Sequence, residues 1–201
     1  MRLYLVTDSA LAAPRALIDV VAAAVRGGVT AVQLREKDCC TREFVELARA
    51  LKAAVTVPLI VNDRVDVALA ADADGVHVGQ SDMDCRDVRR ILGSSAIVGL
   101  SVEKPEQAAA DLPVDYFGVG PIFATPTKSD AASAWGLEPL AALRARTRRQ
   151  LIAIGGIHAG NAHQVMEAGA DGIAVVSAIC TAPDPEAAAR ELCRAIHAHA
   201  H

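Results

Sequence analysis

Aromatic side chains are scarce: one Trp, two Tyr and three Phe make up 3% of 201 residues. Charge of one sign is scarce as well, 20 Lys and Arg against 24 Asp and Glu giving a formal net charge of −4. General nucleic-acid binders carry clustered cations with interleaved aromatics, so this composition argues against one, and a bound anion must be met by locally placed positive groups. Long apolar runs are missing too. Residues 53–61 and 172–178 are the longest strongly apolar stretches, well short of the roughly 18–20 residues that cross a bilayer. The apolar run near the start ends at Val6, shorter than the roughly 7–15 residues of a signal-peptide core. The expectation is a protein neither secreted nor inserted in a membrane. Cysteines are few and unpaired in spacing: Cys39, Cys40, Cys85, Cys180 and Cys193 match neither a zinc pattern nor a disulfide framework, which predicts reduced thiols and a cytoplasmic setting.

What is present is alternation. Short aliphatic runs recur over 3–6, 31–34, 59–61, 75–78, 97–100, 116–119, 151–154 and 172–175. Amphipathic, Ala- and Leu-rich stretches separate them, over 14–26, 42–54, 65–71, 85–92, 105–111, 137–146, 160–168 and 185–197. Serial strand–helix units of this kind build a parallel sheet. The segments Ala71-Asp-Ala-Asp-Gly75 and Ala168-Gly-Ala-Asp-Gly172 resemble each other, each a turn that feeds the next strand. No GxGxxG follows the first strand, which disfavours an open doubly wound sheet. Eight units in 201 residues fit a single-domain α/β protein, a (β/α)8 TIM barrel near the lower size limit of roughly 200 residues.

A barrel places its site at the C-terminal ends of its strands, and polar residues gather there. After the second run stands Gln33-Leu-Arg-Glu-Lys37, where period-two geometry sends Gln33, Arg35 and Lys37 to one side and Leu34 and Glu36 to the other. Asn62-Asp63 follows the third run and Gly79-Gln-Ser-Asp82 the fourth. Two carboxylates at neighbouring strand mouths suit Mg2+, which takes one or two carboxylates together with phosphate oxygens and waters, though either Asp alone could cap a helix. His77 lies within the fourth run, where a packed, hydrogen-bonded imidazole is expected rather than a catalytic one. Ser101 offers a hydroxyl after the fifth run, and the sixth leads into Gly118-Val-Gly-Pro-Ile-Phe-Ala-Thr-Pro-Thr-Lys128. Its Thr125, Thr127 and Lys128 suit phosphate oxygens. The seventh and eighth runs end at Gly155-Gly156 and Val176-Ser177, where many barrels bind phosphate through backbone amides. A divalent-cation and diphosphate half beside a monophosphate half implies two phosphorylated substrates.

Taken with Gly75-Val-His-Val-Gly-Gln80, Ile154-Gly-Gly-Ile157 and Gly172-Ile-Ala-Val-Val-Ser177, these six ordered segments resemble the thiamine-phosphate synthase (thiamine-phosphate pyrophosphorylase) family from Tyr4 to about Ile196. The resemblance implies a (β/α)8 barrel and a transferase of vitamin B1 synthesis. Such an enzyme condenses 4-amino-2-methyl-5-(diphosphooxymethyl)pyrimidine with a carboxylated thiazole phosphate to give thiamine phosphate, pyrophosphate and carbon dioxide. It further implies that the Gln33–Lys37 segment (Gln33, Leu34, Arg35, Glu36, Lys37), Asn62, Ser101 and Lys128 hold the pyrimidine diphosphate. Asp63 and Asp82 would bind Mg2+, and Thr125, Pro126, Thr127, Gly156, Val176 and Ser177 the thiazole phosphate. Arg35, Lys37, Lys128 and Ser101 would carry the catalysis, the three cations by neutralising the leaving group. Ser81 stands where an acidic residue would be expected beside Asp82, and Val102-Glu103 where smaller or more polar residues would be. Three other readings stand beside this one: the related thiazole tautomerase, a non-catalytic sensor of thiamine precursors, and a phosphosugar isomerase or epimerase.

Overall fold

A computed structural model describes residues 1–125 and 134–197. Eight parallel strands, β1 (Leu3–Val6), β2 (Ala31–Leu34), β3 (Leu59–Asn62), β4 (Gly75–Val78), β5 (Ile97–Val102), β6 (Tyr116–Val119), β7 (Gln150–Ile154) and β8 (Gly172–Val175), close into a barrel in sequence order. Closure is direct, Leu5 of β1 lying in register with Val32 of β2 on one side and Val175 of β8 on the other.

Helices clothe the barrel: α1 (Ser9–Ala12), α2 (Leu17–Arg26), α3 (Thr41–Ala54), α4 (Val65–Ala70), α5 (Cys85–Leu92), α6 (Leu137–Arg146), α7 (Ala162–Glu167), α8 (Ser177–Cys180) and α9 (Pro185–His197). No helix among the described residues is long and apolar enough to cross a membrane. Period-two alternation divides each strand between two cores. Leu5, Val32, Val61, Val76 and Phe117 join the large cluster beneath the helices. Tyr4, Val6, Ala31, Ile60, Tyr116, Ile152 and Ala174 fill the barrel interior.

The structure departs from the sequence expectation in three elements. The helix expected over 14–26 starts at Leu17 as α2, and an unforeseen helix, α1, precedes it, capped by Asp8 accepting from the Leu11 N–H at 3.0 Å. Pro14 separates them because the residue before a proline is pushed out of helical geometry, and Ala13 is extended at φ −56°, ψ 146°. The helix expected over 105–111 is a single 3-10 turn, Pro105–Gln107. Beyond it the chain runs irregularly to β6, and the Arg149 guanidinium donates to the carbonyls of Ala110, Leu112 and Val114 along that path. The short α8 was not separately foreseen.

One device recurs at the N-terminal end of the barrel. Asp74, immediately before β4, accepts the Leu59 N–H at 2.8 Å and the Lys52 ammonium at 2.6 Å. Asp115, before β6, accepts the Val98 N–H and Arg89, each at 2.7 Å. Asp171, before β8, accepts the Leu151 N–H at 2.8 Å and Arg144 at 2.7 Å. Before β2 the hydroxyl of Thr30 takes the Leu3 N–H at 3.2 Å. Each even-numbered strand is thus pinned to the first residues of the strand before it. The likeness of 71–75 to 168–172 is two of these four pins.

Candidate functional site

The rim at the C-terminal ends of β2–β5 brings together most of the residues singled out from sequence. Arg35 is half-buried just past β2, its N–H donating to the buried Thr7 hydroxyl at 3.0 Å. Asn62 ends β3, and the chain then turns sharply: Asp63 has φ 62°, its N–H bonded to the His77 carbonyl at 2.8 Å. Left-handed backbone is uncommon for a residue with a side chain and is best tolerated by Asn and Asp. On the next strand the Asp82 carboxylate closes its own loop by accepting the Gly79 N–H at 2.7 Å.

The two carboxylates face each other. Although exposed at the rim, the Asp63 carboxyl is pushed up to about 6, first by partial withdrawal from water, then by the charge of Asp82 and a hydrogen bond with it. The Asn62 amide and the positive charge of Arg35 pull the other way. A pair of carboxylates forced together and only partly offset by one guanidinium has the donor set of a hard divalent cation. Among the described residues no group of three or more His, Cys, Asp or Glu assembles anywhere, so a thiolate or imidazole zinc centre has no counterpart there.

The rest of the Gln33–Lys37 segment divides as its parity requires. Leu34 is fully buried in the layer beneath the helices, so its side chain faces away from the mouth. Glu36 accepts a hydrogen bond from the Ser9 hydroxyl at the start of α1, and Lys37 is exposed. Gln33 points down into the barrel, 4% exposed, donating from Nε2 to the Tyr4 hydroxyl at 3.1 Å.

Below the rim lies a polar chain whose two tyrosines sequence reading missed. The Tyr4 and Tyr116 hydroxyls are 2.9 Å apart, Tyr116 lies 2.9 Å from His77 Nδ1, and His77 Nε2 lies 2.9 Å from Ser101 Oγ. His77 stacks on Tyr116 with ring centroids 5.4 Å apart. Room for that stack comes from two glycines: a Cβ on Gly99 would lie 2.2 Å from the Tyr116 ring and one on Gly118 2.8 Å from the imidazole. Burial lowers the His77 pKa to about 4, so the ring is neutral near pH 7. The available signal was parity. The only two tyrosines of the chain stand at inward positions of β1 and β6, matching Gln33 on β2 and His77 on β4.

The ends of β6–β8 form the opposite rim. The Ile122 N–H bonds the Ile154 carbonyl at 2.8 Å and the Phe123 N–H bonds that of Gly155 at 3.1 Å, laying the loop after β6 over the end of β7. Gly156, at φ 63°, has no space for a side chain, since a Cβ would lie 2.8 Å from the Ala124 carbonyl. Asn161 Nδ2 holds the Gly156 carbonyl at 3.0 Å. Val176 is half-buried and Ser177 exposed where β8 gives way to α8, and Thr125 closes the described part of the loop. Pro126, Thr127 and Lys128 lie outside the described residues. Val102 packs into the core between barrel and helices, so its bulk does not face the rim. All five cysteines are unpaired.

Residues 3–179 match the model of a known family, thiamine monophosphate synthase. The chain belongs to that family. Like its relatives in thiamine biosynthesis, it is a transferase. It is 57% identical to the thiamine-phosphate synthase of Albidiferax ferrireducens, covering 98% of this chain and 93% of that protein. It is 56% identical to that of Xanthobacter autotrophicus, covering 98% and 95%. Among solved structures, the thiamine phosphate pyrophosphorylase of Pyrococcus furiosus superposes with a TM-score of 0.90 at 36% identity, covering 100% of this chain and 97% of that one. A 3-hexulose-6-phosphate synthase at 20% identity and a TM-score of 0.73 shares the barrel.

Proposed function

We propose that this member of the thiamine monophosphate synthase family joins a pyrimidine, delivered as its methyl diphosphate, to a carboxylated thiazole phosphate, releasing pyrophosphate and carbon dioxide. The observation that carries the proposal is the facing pair Asp63 and Asp82 beside Arg35 at one rim of the barrel. The pair fits Mg2+, for a hexacoordinate ion held by two protein carboxylates keeps positions for diphosphate oxygens and water. When bound, Mg2+ supplies Lewis-acid stabilisation of the charge that collects on the leaving diphosphate.

The protein's own residues do the remaining work. Arg35, Lys37 and Lys128 neutralise the departing diphosphate, while Gln33, Asn62 and Ser101 hold the pyrimidine. Departure leaves a carbon that the electron-rich aminopyrimidine stabilises as a cation, so no protein nucleophile is needed. Across the mouth, Thr125, Pro126, Thr127, Gly156, Val176 and Ser177 hold the thiazole phosphate, so that the ring nitrogen meets the methylene carbon close and aligned. The unpaired cysteines suit a reducing compartment, the cytoplasm.

The test is to incubate the purified chain with both substrates, with and without Mg2+, and to read thiamine phosphate by fluorescence after oxidation to thiochrome. Magnesium-dependent product is expected, and Arg35→Ala or Lys128→Ala should lower kcat roughly 100-fold. No product with any divalent cation, or near-normal turnover in both variants, would overturn the reading.

A further inference from the structure

The buried chain from Gln33 to Ser101 has a direction. An amide nitrogen donates and does not accept, so the Tyr4 oxygen receives the Gln33 Nε2–H. The Tyr4 hydroxyl proton then goes to Tyr116, the one hydroxyl beside it, and the Gln33 amide reaches Tyr116 as well. Tyr116, having accepted, donates to His77 Nδ1. A neutral imidazole with Nδ1 as acceptor carries its proton on Nε2 and gives it to the Ser101 oxygen. The Ser101 hydroxyl proton is left with nowhere to go but the mouth, where Ser101 is half-exposed. No buried side-chain nitrogen or oxygen among the described residues lacks a partner, and turning the Tyr116 proton back towards Tyr4 would leave the Tyr4 proton without an acceptor in the chain.

We propose that Gln33, Tyr4, Tyr116 and His77 form a one-way hydrogen-bond relay that fixes Ser101 as a donor to the bound substrate, with His77 as its positioning residue. The relay presets, before substrate arrives, an orientation that a lone serine would find only after binding. This reduces the reorganisation required in the transition state. Its value for catalysis rests on the reading above that Ser101 touches the pyrimidine.

Two measurements test the relay. The first needs no substrate: in the 15N-histidine-labelled chain, long-range nitrogen–proton correlation should find His77 neutral with its proton on Nε2, and a proton on Nδ1 would overturn the proposal. The second is a cycle of Tyr4→Phe and Ser101→Ala. Tyr4→Phe removes one link of the relay far from the mouth and should lower kcat roughly three- to tenfold, the worth of one neutral hydrogen bond. In the Ser101→Ala background the same change should do nothing further to kcat. Effects that multiply would mean Tyr4 acts on turnover by packing alone, and the relay would fall. A wild-type chain without synthase activity would instead sink the functional reading, with the tautomer still readable.

Discussion

At the scale of the residue, the site is held in a conformation that the fold alone does not favour. Asp63 combines left-handed backbone with a carboxyl whose pKa is raised by partial desolvation and by Asp82. Sites commonly keep strain and like charges of this kind because the ligand relieves them. The sign follows from linkage: a carboxyl with a higher pKa folded than unfolded favours the folded state when protonated. Stability therefore falls as pH rises from the ordinary carboxyl value of 3.8 towards about 6, and above that the full penalty is present. Without divalent cations, Asp63→Asn should melt higher than wild type at pH 8 and show little advantage at pH 4. Solvent screening at this exposed rim limits the gain to on the order of 1 kcal/mol. Wild type should gain melting temperature on adding Mg2+ at pH 8, and Asp63→Asn should not. Equal magnesium responses in the two would remove Asp63 from the proposed magnesium site.

Elements place these residues, and the short helix α8 depends on a distant side chain. Arg15, in the link between α1 and α2, donates to the carbonyls of Cys180 and Ala182 at 2.5 Å each, and through Nε to Ala12 at 3.3 Å. One guanidinium thus satisfies the C-terminal end of α8, a four-residue helix, and ties it to α1. Lysine offers a compact ammonium in place of this planar fork. Arg15→Lys should raise KM for the thiazole phosphate about tenfold, equivalent to about 1.4 kcal/mol, with kcat within about twofold of wild type. Steady-state kinetics with each substrate varied in turn check this, and an unchanged KM would free α8 from Arg15. Nothing local in the sequence announces such a contact, because Arg15 and Cys180 stand 165 residues apart. The strands, by contrast, were legible almost to the residue, since aliphatic runs bounded by turns report burial on both faces. The rim residues were legible for the same reason: each follows directly on a run. What escaped was whatever depended on a distant partner, namely the irregular segment after the 3-10 turn Pro105–Gln107, whose carbonyls Arg149 holds from 35 to 39 residues away, and the inward tyrosines joined across the barrel.

At the scale of the whole molecule, the barrel has a fourfold repeat at one end and a twofold division of labour at the other. The pins at Thr30, Asp74, Asp115 and Asp171 each join an even strand to the odd strand before it, so the N-terminal end is four similar strand pairs. The C-terminal rim has only two halves, the acidic and cationic one at β2–β5 and the glycine-lined one at β6–β8. Stability residues and site residues are therefore segregated along the barrel axis, and changing a pin should cost stability without touching catalysis. Which part of a pin matters can be argued from exposure. The Arg89–Asp115 pair leaves the aspartate side chain 51% exposed, and ion pairs that open to water are worth about 0–1 kcal/mol. The Val98 N–H that Asp115 accepts is part-buried, and an amide left without its acceptor there costs about 1–3 kcal/mol. Asp115→Asn, which keeps an oxygen for Val98, should thus lose less than about 1 kcal/mol in urea unfolding, and Asp115→Ala about 1–3 kcal/mol with the same slope. Because Asp74 and Asp171 pin different strand pairs, the alanine losses at any two positions should add within about 0.5 kcal/mol if the barrel unfolds as one unit. Losses falling well short of additive, or a second transition, would mean that the strand pairs come apart separately and that closure of the barrel does not bind the four together.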